Sequence, residues 1–149
     1  AMNEEETLQE AQLIESESKL KEVVKASDKR PDYVPGALVR VKVDQNHWLT
    51  AGVQRDLVAT FTGDQVFAPL SIDDGRNLAW FAQQEEVLAS GLLWPEIKRQ
   101  IPFKPQLMVE PMGDGMLIAY AQSPTYRAYM DGWIPILTNS LFLAPAKTH

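Results

Sequence analysis

The sequence predicts an α/β or α+β domain with a mixed sheet of about five or six strands and helices near both termini. Three observations carry that expectation. The chain opens on a stretch free of Gly and Pro, with Glu4, Glu5, Glu6 and Glu10 ahead of Lys19, Lys21 and Lys25. Acid early and base late suits a helix dipole. A run of period two follows, in which Ala37, Val39, Val41 and Val43 alternate with Leu38, Arg40 and Lys42, as in a strand with one buried face. Near the end, Asp131 stands ahead of apolar residues that recur at helical spacing.

The opening stretch reads as a helix over 6–27. Leu13, Leu20, Val23 and Val24 share one face, whereas Leu8 and Ala11 point the other way, so its second half is the better amphipathic segment. Its charges read as a solvated face. Pro31 and Pro35, with Gly36, break the helix because each Pro lacks a donor and pushes the preceding residue toward extended geometry. The chain therefore divides into an N-terminal helix over 1–30, a remnant of a preceding region, and a single domain over 31–149.

After the first strand, further strands are expected at 56–62, 65–70 and 77–82, separated by Gly63-Asp64 and Asp73-Asp74-Gly75, which favour turns. Helical turns are expected within 85–93 and 95–100. Strands at 106–110 and 116–121 then flank Met112-Gly113-Asp114-Gly115, where Asp-Gly suits the positive φ of a tight hairpin. Both faces of 116–121 are apolar or aromatic, as in a strand covered on both sides. Asp131 would cap a final helix over 132–143. Trp133, Ile134, Leu137, Leu141 and Phe142 would form its buried stripe, with Pro135 in or next to the first turn, where a missing donor costs least.

Composition excludes several kinds of chemistry. At 149 residues one core can bury about two thirds of the unfolded surface. With 45% hydrophobic and 23% charged residues the chain is ordinary globular material, and no run approaches the about 20 apolar residues needed to span a bilayer. The net charge of -6 disfavours nucleic acid and anionic lipid as partners. The absence of cysteine removes disulfides, thiolate metal sites and thiol nucleophiles. His47 and His149 fit no metal spacing, and His47 reads as a turn or packing residue. Ser90 lacks the preceding glycine of a nucleophile elbow. Asp73/Asp74 and Glu85/Glu86 read as turn carboxylates facing water. No catalytic residue, metal ligand or bound cofactor is therefore expected in this chain.

One segment stands apart. Tyr126, Arg127 and Trp133 follow a strand and lead into the last helix, a place where open α/β sheets put ligands or partners. These three are the candidate ligand or interdomain contacts. The structural alternative is that Arg127 pairs a carboxylate or covers helix-end carbonyls.

The order of residues from Val34 onward resembles the C-terminal region of bacterial zinc carboxypeptidase family (carboxypeptidase A-like) proteins, in which a domain similar to class I glutamine amidotransferases follows the peptidase. The residues that carry the resemblance are Val34-Pro35-Gly36-Ala37, then Asp44 with His47, Leu49 and Gly52, then Val66-Phe67. Ser90-Gly91-Leu92-Leu93 with Glu96, Gly113-Asp114-Gly115 before Met116-Leu117-Ile118, Tyr126-Arg127, and Gly132 with Leu137 and Asn139 complete it. Trp48 stands where the family has proline, and Asp114 and Met116 stand where it has basic residues. The zinc-binding H-x-x-E with a distant His, and the amidotransferase cysteine, have no counterpart. The resemblance implies a non-catalytic accessory domain of an exported parent, periplasmic or extracellular, with zinc and proteolysis belonging to a missing catalytic domain. Its partners would be that upstream domain or a second copy. The alternative is a module that binds a peptide or a cell-wall fragment. Ala1-Met2 reads as a cloning remnant ahead of Asn3, so the chain reads as cut from a longer gene.

Overall fold

Residues 33–64 and 66–147 are described by the structure, a computed structural model. The expected helix over 6–27 and His149 lie outside the described residues.

The alternation read from Ala37 to Val43 becomes β1, Val34–Val43. Ala37, Val39, Val41 and Val43 are buried while Leu38 and Arg40 face outward. β1 organises the sheet. One of its edges carries β2, Asp56–Gly63, from Lys42 opposite Asp56 to Val34 opposite Gly63. Its other edge is shared. β3, Arg76–Phe81, pairs with Val41–Val43, and β4, Leu88–Gly91, pairs with Ala37–Val39. The sheet continues from β3 to β5, Pro105–Met112, and on to β6, Gly115–Tyr120. The strand order is β2-β1-β3-β5-β6, with β4 beside β1.

Every pairing is antiparallel, which corrects the expected mixed sheet. Parallel neighbours need a long crossover connection. Here β5 and β6 are joined by Gly113 and Asp114 alone, and α1, Pro95–Gln100, leads from β4 to β5, which are not neighbours. At the β5–β6 turn the positive φ, 57°, falls on Gly113 rather than on Asp114, as in a type II′ hairpin.

Two further expectations change. Residues 66–70 run as a loop rather than a strand. Pro69 cannot donate to a ladder, and the Asn77 side chain replaces one: Leu70 N–H donates to Asn77 Oδ1 at 3.0 Å and Asn77 Nδ2 donates to Leu70 O at 2.9 Å. The helical turn expected within 85–93 ends where Val87 N–H donates to Gln83 O. Beyond it the chain extends as β4, because β1 offers an unpaired edge and Arg40 Nη1 donates to both Glu86 O and Leu88 O. The helix expected at 95–100 is α1.

β2 and β6 end the sheet and are not laddered to each other. Side chains from the C-terminal segment join them instead. Gln122, just past β6, accepts Thr62 N–H from β2 at 3.1 Å, and its carbonyl accepts the buried Gln106 Nε2 of β5 at 3.1 Å. Trp133 Nε1 donates to Val58 O of β2 at 2.8 Å, and its ring meets Tyr120 of β6 edge-on at 6.4 Å. As the end strand, β6 packs only Met116, Ile118 and Tyr120 against the core and leaves Leu117 exposed, so it is not covered on both sides.

The last helix, α2, is Ile134–Phe142, preceded by a 3-10 turn at Asp131–Trp133. Asp131 does not cap it, because Trp133 occupies the flanking position and makes no side-chain cap; Pro135 does lie in the first turn. The later start turns a different face inward. Trp133 and Ile136 are buried, Ser140 Oγ lies 3.1 Å from Tyr120 OH, and Asn139 Nδ2 donates to Leu49 O and Ala51 O at 3.0 and 3.1 Å. Ile134, Leu141 and Phe142 are consequently 52%, 65% and 76% exposed, not part of a buried stripe. No helix among the described residues is long and apolar enough to cross a membrane.

Gly132 lies where this turn meets β2, and a Cβ there would stand 2.7 Å from Leu57 Cδ2. That atom is the end of a side chain that can rotate, so Gly132→Ala is expected to cost only about 1 kcal/mol. Urea denaturation checks this; a loss several-fold larger would mean that Leu57 is fixed in place.

Candidate functional site

An opening of about 420 Å³ lies where four segments meet: the turn after β1, the turn before β3, the β5–β6 hairpin and the end of the chain's described part at Lys147. Local chemistry builds the first wall. Asp44 Oδ1 accepts Asn46 N–H at 2.9 Å, turning the chain out of β1, and Thr50 Oγ1 donates back to Asp44 O at 2.5 Å. His47 then stands at the N-cap of the 3-10 turn Trp48–Thr50, its Nδ1 accepting Leu49 N–H at 3.2 Å. Leu49 anchors this wall in the core. The second wall is Ile72, Asp73 and Arg76, set by Gly75, whose Cα lies so close to β5 that an added Cβ would reach Val109 O at 2.3 Å. The hairpin supplies Asp114 and Met116, and Lys147 closes the rim.

His47 is held neutral. Partial burial lowers its pKa from the ordinary 6.5, and the Arg76 guanidinium lowers it further, with Asp44 opposing. With Nδ1 engaged as an acceptor, the neutral ring carries its proton on Nε2. The imidazole therefore offers the cleft a donor. Accepting a proton there would require tautomer exchange and loss of the Leu49 N–H bond. A lowered folded-state pKa means that the unfolded chain takes up a proton first as pH falls. The stability contributed by neutral His47 is thus present above pH 6.5 and is lost as pH drops through the lower folded value. His47→Asn keeps an N-cap acceptor but removes the titration. Its urea midpoint is expected to change less than the wild type's between pH 7.5 and 5; identical profiles would remove His47 as the source.

Among the described residues, Arg76, Lys147, Asp73 and Asp114 make no ion pair, and no group of three or more His, Cys, Asp or Glu stands ready to hold a metal. The cleft is lined by two cations, two carboxylates, a neutral imidazole and an indole.

Of the three contacts expected from sequence, the structure brings Tyr126 and Arg127 together and places Trp133 in the core. Tyr126 lines a separate shallow groove of about 220 Å³ with Thr60, Thr62 and Ser90. Arg127 is exposed, in the left-handed region at φ 48°, with its guanidinium 5.4 Å from the Tyr126 ring centre; no carboxylate among the described residues pairs with it. Trp133 is 1% exposed and belongs to the core. Of the carboxylates read as turn residues, Asp74 accepts Ser71 Oγ at 2.6 Å, while Asp73 faces the cleft. Glu86 lies 3.9 Å from Lys42, which also pairs with Asp56. Sequence reasoning missed Trp48, Arg76, Asp114 and Lys147 as a group, since they are distant in sequence. The available hints were the Asp73-Asp74-Gly75 and Gly113-Asp114-Gly115 turns, which mark where chain ends approach.

No protein-family model, curated protein or solved structure matches this chain.

Proposed function

We propose that the chain is a non-catalytic accessory domain of an exported zinc carboxypeptidase-like protein, and that it acts by burying its last helix against the parent's catalytic domain. The observation that supports this reading is the uncovered face of α2. Ile134 and Leu141 lie two turns apart, Phe142 adjoins them, and the helix carries no charge. Apolar surface of this kind gains free energy when a neighbour covers it. The order of residues resembling the C-terminal region of these proteins supports the identity of that neighbour, including the likeness to an amidotransferase domain.

The test begins with the gene upstream of the Asn3 codon, where an in-frame H-x-x-E with a later His is expected. Co-expression of that upstream region with the chain should give a complex that a Leu141→Asp/Phe142→Asp variant loses while keeping its own melting temperature. An upstream region without the motif, or an unaffected complex, would refute the reading.

A second reading, a module that binds a peptide or cell-wall fragment, is favoured by the charged cleft at His47. Its charges, which have no ion-pair partner among the described residues, and its half-buried indole are the features that orient a small polar ligand.

A further inference from the structure

The charges around the His47 cleft are balanced but not satisfied. Arg76 and Lys147 line it together with Asp73 and Asp114, and none of the four has an ion-pair partner among the described residues. A simple anion entering would meet two carboxylates on a chain of net charge -6. A simple cation would meet a guanidinium and an ammonium. A ligand bearing both signs meets neither penalty, because each end can pair with its opposite while its like charge is kept apart. His47 adds an Nε2–H donor without adding a third positive charge, since its Nδ1 is engaged by Leu49 N–H.

Size and apolar character narrow the ligand further. The cleft's volume of about 420 Å³ lies toward the small end of ligand pockets, which run from about 300 to 1,000 Å³. Trp48 and Met116 give it a partly buried apolar wall, and Ile72 stands at its edge 93% exposed. An isoleucine so placed gains burial only when something occupies the cleft. We infer that this cleft binds a zwitterionic ligand of dipeptide size: its carboxylate meets Arg76 and Lys147, its ammonium meets Asp73 or Asp114, and an apolar side chain lies between Trp48 and Ile72. The inference rests on the second reading above, that the chain is a binding module, and is independent of the α2 face.

The experiment titrates alanyl-phenylalanine into the full chain and follows the Trp48 indole and His47 ring signals by NMR. Saturable shifts with a Kd of about 1 mM are expected. Amidating the carboxylate or acetylating the amine should each weaken binding about tenfold, and Arg76→Gln should do the same with the thermal melt unchanged. Equal binding of the capped and free dipeptides overturns the inference. So does the absence of saturable shifts with the free dipeptide. In either case a larger peptide or a cell-wall glycopeptide that moves the same signals leaves the binding-module reading standing, whereas silence toward all of them removes both.

Discussion

Replacing Gly75 with alanine is expected to destabilise the domain by about 3 kcal/mol, at the upper end for an overpacked site. The new Cβ would lie 2.3 Å from Val109 O, 3.0 Å from Leu70 Cδ1 and 3.1 Å from Glu110 Cα. Two of those atoms belong to the backbone of β5, which cannot rotate away as a side chain can. Relief requires the start of β3 to separate from β5, where Arg76 pairs opposite Val109. Gly113→Ala is the matched control. Nothing lies within 4 Å of its added Cβ, so only the positive φ of 57° is penalised, at about 1 kcal/mol. Urea denaturation of the two variants measures the contrast. Equal losses would show that close approach at Gly75 does not constrain the sheet.

Trp133→Ala is expected to cost about 4 kcal/mol, the range for emptying a buried large aromatic site, and thus a large part of the marginal stability of a domain. Its indole fills the gap between the two end strands, bonded to Val58 O of β2 and edge-on to Tyr120 of β6. Trp133→Phe retains much of the apolar contact and gives up the hydrogen bond, so a smaller loss, about 1.5 kcal/mol, is expected. The difference separates filling from hydrogen bonding. An alanine variant within 1 kcal/mol of wild type would mean that Trp133 does not close the sheet.

Both predictions concern features that pattern reading reached only in part. The strands over 37–43, 56–62, 77–82, 106–110 and 116–121 were legible because alternation and turn residues act locally. β4 was not. Leu88–Gly91 has little alternation of its own and extends because β1 leaves half an edge unpaired and Arg40 binds the carbonyls on either side of Val87. The final helix was legible as a helix but not in its phase, since whether Trp133 or Ile134 turns inward depends on how deep the indole reaches toward Val58. That choice also exposes Leu141 and Phe142, the surface on which the proposed function rests. The cleft at His47 was the least legible feature, because no spacing along the chain links Trp48, Arg76, Asp114 and Lys147.

The amino-acid sequence alone rules out thiol chemistry in this chain, since cysteine, absent from it, stays absent in any fold. It also determined most of the strands and the hairpin at Gly113, because hydrophobic period and backbone φ are properties of neighbouring residues. Tertiary contacts settle the rest: every strand pairing is antiparallel, Trp133 and Gln122 join the ends of the sheet, and four charges without an ion-pair partner among the described residues share one cleft. Those outcomes depend on contacts between residues far apart in the chain, whose geometry is set by the sheet as a whole.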